Sequence, residues 1–177
     1  MKRKKYMNTL IIIIVFLVIM LTVLFIPFRK SLVFYERNTG QIAAYLPVKE
    51  GDTFQIIFTH SIHLSDVIEK YRILPDDTME EYEFVFEEFG IGMPSNAETG
   101  QTFEYKDGKY HIKDVGNVFP SMMIRNGKTV SKHRLVWGEN EEHIVKFNDY
   151  LKPGEIYKVQ VDHLSLWQSV KGVEIRD

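Results

Sequence analysis

The stretch "FTHSIHLSDVIEKYRI", Phe58 to Ile73, decides how this chain folds. Two runs rich in β-branched and aromatic residues flank a polar centre, which predicts two strands joined by a tight turn. Alternate residues of a strand share a face. Phe54, Ile56, Phe58, His60 and Ile62 form the more apolar face of the first run, opposite Thr53, Gln55, Ile57, Thr59 and Ser61. Val67, Glu69, Tyr71 and Ile73 form one face of the second, opposite Ile68, Lys70, Arg72 and Leu74. Each apolar face therefore carries one polar exception, His60 and Glu69. A turn at His63-Leu64-Ser65-Asp66 pairs Ile62 with Val67. It then sets His60 opposite Glu69, Phe58 opposite Tyr71 and Ile56 opposite Ile73, with Cβ atoms about 5 Å apart. An isolated buried charge is costly and a hydrogen-bonded partner offsets the cost, so each residue answers for the other. The reading depends on register, which a one-residue slip destroys.

Two roles fit such a pair. One is a structural ion pair that fixes strand register. The other is a polar spot in an apolar pocket that meets a ligand or partner. A histidine beside a carboxylate has a raised pKa, so the pair would also respond to proton availability. The second strand leads on to "FEEFGIGMPSN". There Gly90 and Gly92 permit backbone conformations closed to other residues, and Pro94 makes Met93 extended. This loop is placed to close over the His60–Glu69 site, or it simply ends a strand.

The same pattern continues outward. "SLVFYERNTGQIAAYLPV" gives two short runs about Asn38-Thr39-Gly40, and "VIEKYRIL" stops at Pro75-Asp76-Asp77. "EYEFVFEEF" alternates, with Tyr82, Phe84 and Phe86 on one face and Glu81, Glu83 and Glu87 on the other. Asp107-Gly108 and Asn126-Gly127 are hairpin signals. "HRLVW", "HIVKF" and "IYKVQVDHL" extend the series, "LWQSV" reads as a helical turn and "VKGVEIRD" as a last short strand. Roughly ten short strands with turns every 8–12 residues predict an all-β domain, an antiparallel sandwich or barrel.

The N-terminus is different. Leu10 to Ile26, "LIIIIVFLVIMLTVLFI", holds no charge and one polar residue, Thr22. As a helix it spans about 25 Å of a bilayer core of about 30 Å, and Pro27 and Phe28 extend it. A buried soluble helix would show a polar stripe. A cleaved signal peptide would end at small residues, which "FIPFRKSLVF" lacks. With no cysteine in the chain, a lipoprotein signal is excluded. The expectation is an uncleaved signal anchor over residues 10–28, after a basic stretch at 1–9 and before a domain at 31–177. Lys2, Arg3, Lys4 and Lys5 outnumber Arg29 and Lys30, which puts the N-terminus in the cytoplasm and the domain outside. All 24 acidic residues follow Tyr35, against 16 of the 22 basic ones, for a formal domain charge of −8. That charge argues against nucleic acid or anionic headgroups as partners. At about 145 residues the domain can bury a sufficient core without disulfides.

Catalytic and metal chemistry find little support. His60 and His63, three apart on a strand, point to opposite faces, and thiolate ligands are lacking. Ser61 or Ser65 could join His60 and Glu69 in a hydrolytic arrangement, but Ser61 points away and no Gly-x-Ser-x-Gly elbow exists. No phosphate-cradling loop appears. "DDTMEEYEF" and "GENEEH" lack calcium-loop spacing. No cofactor is expected, and an anchored extracytoplasmic hydrolase using His60 and Glu69 stays the minority alternative, with a structural envelope module as a third.

Over residues 54–140 the chain resembles a bacterial family called domain of unknown function 1850. His60 and Ser61 match its His-Ser-Val element, Glu69 its glutamate before an aromatic strand, and Gly90, Gly92 and Pro94 its Phe-Gly-Ala-Gly-Leu-Pro element. "HRLVWG" from His133 matches a later His-x-Leu strand. Ile62, Ile91 and Met93 depart from the pattern, Ile91 by enlarging a side chain between two glycines, and His63 is not part of it. The resemblance implies a small membrane-anchored, non-enzymatic accessory subunit of a tripartite ATP-independent periplasmic (TRAP) transporter of the TAXI type. Its partners would be the ion-driven permease and the extracytoplasmic binding protein, and its cargo organic acids.

Overall fold

The computed structural model describes residues 2–90 and 92–177, with side chains from Tyr6 onward. The basic side chains of Lys2, Arg3, Lys4 and Lys5, and the residue Ile91, lie outside the described part. Helix α1 (Lys2–Phe25) leads after three residues into strand β1 (Arg29–Glu36). The strands that follow are β2 (Ile42–Pro47), β3 (Thr53–Thr59), β4 (Asp66–Ile73), β5 (Met79–Phe86), β6 (Thr102–Lys106) and β7 (Lys109–Phe119). Then come β8 (Met122–Arg125), β9 (Arg134–Trp137), β10 (His143–Lys146), β11 (Ile156–Leu164), the short helix α2 (Leu166–Ser169) and β12 (Val173–Glu174). They form a five-stranded sheet, β12-β2-β1-β11-β8, and a seven-stranded sheet, β10-β9-β3-β4-β5-β7-β6. The all-β expectation holds, and two separate sheets make it a sandwich and not a barrel.

The main core lies between the sheets. Leu32, Phe34, Leu46 and Val159 of the first meet Phe54, Ile56, Ile73 and Leu135 of the second. The larger sheet also carries a second cluster of Val67, Phe86 and Ile112 toward its β5-β7-β6 side, and Met93 packs on it. On the outer face of the smaller sheet, Val33, Tyr45 and Leu164 form a third cluster. The C-terminal segment covers it: Gly172 lies so close to Ile42 and Tyr45 that no side chain fits there.

Two expectations about turns part company. Asp107 and Gly108 take φ of 53° and 81°, the left-handed pair of a tight hairpin, between β6 and β7. Asn126-Gly127 makes no hairpin. Asn126 is buried, its Nδ2 donating to Asn148 Oδ1 and to the Leu151 carbonyl, each at 2.9 Å. It anchors the crossing from β8 in one sheet to β9 in the other.

The two ends of the domain are distinguishable. The Phe28 amide donates to the Leu164 carbonyl at 3.3 Å, and Lys30 pairs with Asp77 at 2.6 Å. The turn between β4 and β5 thus sits at the end where α1 leaves the domain. The opposite ends of β4 and β5, with the connection from Glu87 to Gln101, point away from it, about 25 Å distant along an eight-residue strand. No residue of Tyr6–Phe25 is buried, and the segment is long and apolar enough to cross a membrane, as an anchor or a signal sequence would be.

Candidate functional site

The His60–Glu69 pair is not formed across the hairpin. In the ladder Ile56 faces Glu69, Phe58 faces Val67 and Thr59 faces Asp66, four residues from the expected register. The reason lies in the turn. It spans His60 to Ser65 and not His63 to Asp66. It is closed by His60 N–H to the Ser65 carbonyl at 2.8 Å and Leu64 N–H to the His60 carbonyl at 2.9 Å, with Leu64 at φ 59°. Ile62 and Leu64, read as inward residues or turn filler, stand exposed. Ser61 is exposed in the same turn.

Glu69 is on the inner face as expected, but its neighbours are different. The Tyr71 hydroxyl donates to Glu69 Oε2 at 3.0 Å. Burial pushes the Glu69 carboxyl up to about 7 against that bond, and the nearby charge of Glu81 adds to the effect. Glu81 is itself buried, receives Asn117 Nδ2 at 3.3 Å, and burial raises its pKa as well. Alternation misplaced Glu81. A bulge between Glu81 and Glu83 pairs Tyr71 with Glu81 yet Lys70 with Glu83, so Tyr82 is the extra residue. The parity flips there, sending Glu81 inward and Tyr82 outward under the Arg72 guanidinium, 5.1 Å from its ring centre. The sequence signal was weak, since an alternating run carries no mark of a bulge.

The glycine loop covers this part of the sheet. Met93 N–H donates to the Gly90 carbonyl at 3.0 Å, and Gly92 has φ 87°. A positive φ is one that glycine adopts at no steric cost, which explains Gly92. Pro94 follows, and Met93 is directed into the Val67–Phe86–Ile112 cluster. Gln101 fastens the far end, its Oε1 accepting from Glu98 N–H at 3.0 Å. Between roof and sheet lies a cleft of ≈ 310 Å³, with Glu81 and Asn117 in its floor and Gly92, Pro94 and Asn96 on its loop side. The loop lies over Glu81 and not over the expected His60–Glu69 pair, neither of which lines the cleft.

The two motif elements still meet, through His63. Its Nδ1 lies 3.0 Å from Glu88 Oε2, and its ring occupies the space that a Cβ on Gly90 would need. It also stacks on His60, ring centres 4.9 Å apart. Gly90 is thus a glycine because a histidine lies against it. His133, from the later motif, stacks between Phe58 and Phe147 at 5.7 and 5.4 Å, and burial lowers its pKa. Its neighbour Arg134 reaches Asp66 at 2.7 Å and so pins the turn end of β4.

Beside the roof is a feature that sequence reading passed over. Phe89, Phe103 and Tyr105 are exposed, and all three rings pack about Tyr110, with centroids 4.4 to 5.7 Å away. They lie on the β6–β7 side of the larger sheet, at the end far from α1. Among the described residues, no three of His, Cys, Asp and Glu are grouped as metal ligands.

A two-sheet β-sandwich behind an N-terminal apolar helix, with a glycine-loop roof over buried carboxylates, is the class that these observations define. The family model described as domain of unknown function (DUF1850) matches residues 54–144, and the chain belongs to that family. That match runs from β3 to β10 and takes in the hairpin, both carboxylates, the roof and the aromatic patch. No curated protein and no solved structure matches the chain.

Proposed function

We propose that this chain is a non-enzymatic accessory subunit of a TAXI-type TRAP transporter for organic acids, held in the bacterial cell membrane by α1, N-terminus inside and β domain outside. One observation carries the reading beyond the family resemblance: the exposed aromatic patch of Phe89, Phe103 and Tyr105 stands at the end of the domain away from the anchor. Contiguous exposed apolar groups on a small domain mark an interaction site, and aromatic rings are favoured at interface centres. A domain tethered at one end and aromatic at the other is arranged to receive a protein that approaches from outside the membrane. The binding protein of the transporter is such a partner, while α1 is available to pack against the permease.

Affinity purification from a mild-detergent membrane extract, with mass spectrometry, tests this. The wild-type chain is expected to bring down a polytopic permease and its binding protein. A Phe89→Ser, Tyr105→Ser chain should keep the permease and lose the binding protein, since only exposed rings are changed. Wild-type chain recovered without either partner overturns the reading.

A further inference from the structure

Near the exit of α1, a second apolar surface serves neither the core nor the roofed cleft. Helix α2 is fixed by a capping box in which the Ser165 side chain accepts from Gln168 N–H and Gln168 Oε1 accepts from Ser165 N–H. So short a helix needs that cap, and it holds Leu166, Trp167 and Val170 toward solvent, 41%, 49% and 75% exposed. These residues are not scattered. The Trp167 ring lies 6.1 Å from that of Phe25, the last residue of α1, and the Lys171 ammonium stands 5.2 Å over the Trp167 ring. Phe28, also exposed, is tied by its amide to Leu164, two residues before α2.

We propose that Leu166, Trp167 and Val170 dock into the headgroup–acyl boundary of the lipid bilayer beside the exit of α1, which rests on α1 spanning that bilayer. The depth follows from length. Tyr6–Phe25 has 20 residues, about 30 Å of helix, which matches the hydrocarbon core and leaves Phe25 at its edge. Whatever packs on Phe25 therefore lies at the same level. Tryptophan favours that level, where its ring meets acyl chain and headgroup together, and lysine snorkels toward the water side. Apolar burial drives this contact, because a domain of formal charge −8 gains nothing from anionic lipid. Its consequence is orientation: two anchor points, α1 and α2, fix the tilt of the sandwich where one flexible tether would leave it free. The aromatic patch at the far end is then held at a constant height and heading.

The chain has no cysteine, so single cysteines can be placed and spin-labelled without background. The full chain is reconstituted in zwitterionic phosphatidylcholine vesicles with a nitroxide at Val170→Cys, at Leu17→Cys within α1, or at Ser95→Cys in the roof loop. Collisions with oxygen, which concentrates in lipid, are compared with collisions with a water-soluble nickel chelate. Leu17→Cys is expected to favour oxygen strongly and Ser95→Cys the chelate. Val170→Cys should favour oxygen severalfold relative to Ser95→Cys, unchanged when anionic lipid is added. Val170→Cys matching Ser95→Cys, while Leu17→Cys reports lipid, overturns the docking and leaves the anchor standing. Val170→Cys shielded from both reagents assigns the face to a second copy of the chain and also overturns it. Chelate access at Leu17→Cys removes the anchor and the docking together.

Discussion

Strands β4 and β5 carry glutamates on both faces, and the two faces treat them oppositely. On the outer face Glu83 lies 3.0 Å from Lys70 Nζ and 2.8 Å from His111 Nδ1. Burial pushes its pKa up, yet hydrogen bonds from His111 and Lys70 outweigh that and hold it below the ordinary value. On the inner face, among the described residues, Glu69 and Glu81 accept from the neutral donors Tyr71 and Asn117, and burial prevails. One sheet thus holds a satisfied ion-pair ladder and, one side-chain layer away, carboxyls whose pKa burial raises. The difference teaches that the inner acids are not there as ion pairs. They lie at the seam between the main core and the Val67–Phe86–Ile112 cluster, where a carboxyl can be held neutral and serve as a hydrogen-bond donor or a proton acceptor.

The largest test of this contrast is the pH dependence of stability. The native Glu69 carboxyl keeps its proton up to about pH 7, while an unfolded one loses it near 4.5. Its contribution is full below pH 4.5 and is lost as pH rises through 7, a swing of up to about 3 kcal/mol. Urea unfolding of the full chain in micelles should therefore show falling stability between pH 5 and 8. Glu69→Gln should flatten that fall. Parallel profiles for the two proteins would mean that Glu69 is not held protonated.

The periodicity of "VIEKYRI" was enough to put Glu69 inward with Val67, Tyr71 and Ile73, because side-chain parity is a local property. Its partner was not legible. The hairpin register moved by four residues, an even number, which leaves the faces of the paired residues right and each neighbour wrong, while His60 and Ile62 fall outside the strand, in the turn. At Asp107-Gly108 the register could be read, since a two-residue left-handed turn leaves the strands no choice. At His60–Ser65 no residue announces the turn, and Leu64 takes its positive φ without being a glycine. Register there is set from outside, by β9 on one side, where Ile56 faces Leu135, and β5 on the other. Glu81 failed for a different reason: a bulge is a property of paired strands and leaves no trace in one of them. Gly90, Gly92 and Pro94 could be read as a loop, because glycine and proline act on their own backbone, but not which residue that loop would lie over: the cleft beside it is lined by Glu81 and not by His60 or Glu69.

A smaller effect comes from lifting the roof. Gly90→Ala sets a methyl group against the His63 ring, at a cost of about 1 kcal/mol if the ring shifts. A loosened loop admits water to the inner face, so the fall in stability between pH 5 and 8 should shrink while the outer ladder is untouched. His63→Ala in the Gly90→Ala background makes room for the methyl and should restore part of the loss, even though the Glu88 contact is gone. Additive losses in the double-mutant cycle would show that the two motif elements do not press on each other.

The smallest effect belongs to the outer face, and its sign is the reverse of the first. Glu83→Gln removes a carboxylate that Lys70 and His111 approach, yet partly exposed pairs of this kind contribute only about 0.5 kcal/mol. The Glu83 contribution is present above the ordinary carboxylate pKa and is lost as pH falls through the lowered native value. Wild type and Glu83→Gln should therefore differ near neutrality and converge in acid, where Glu69 gives its greatest support. The measurement is the difference in urea midpoint between the two proteins at pH 7 and at pH 3. A Glu83→Gln penalty that grows in acid would place the protonated carboxyl on the outer face and undo the contrast between the two sides of the sheet.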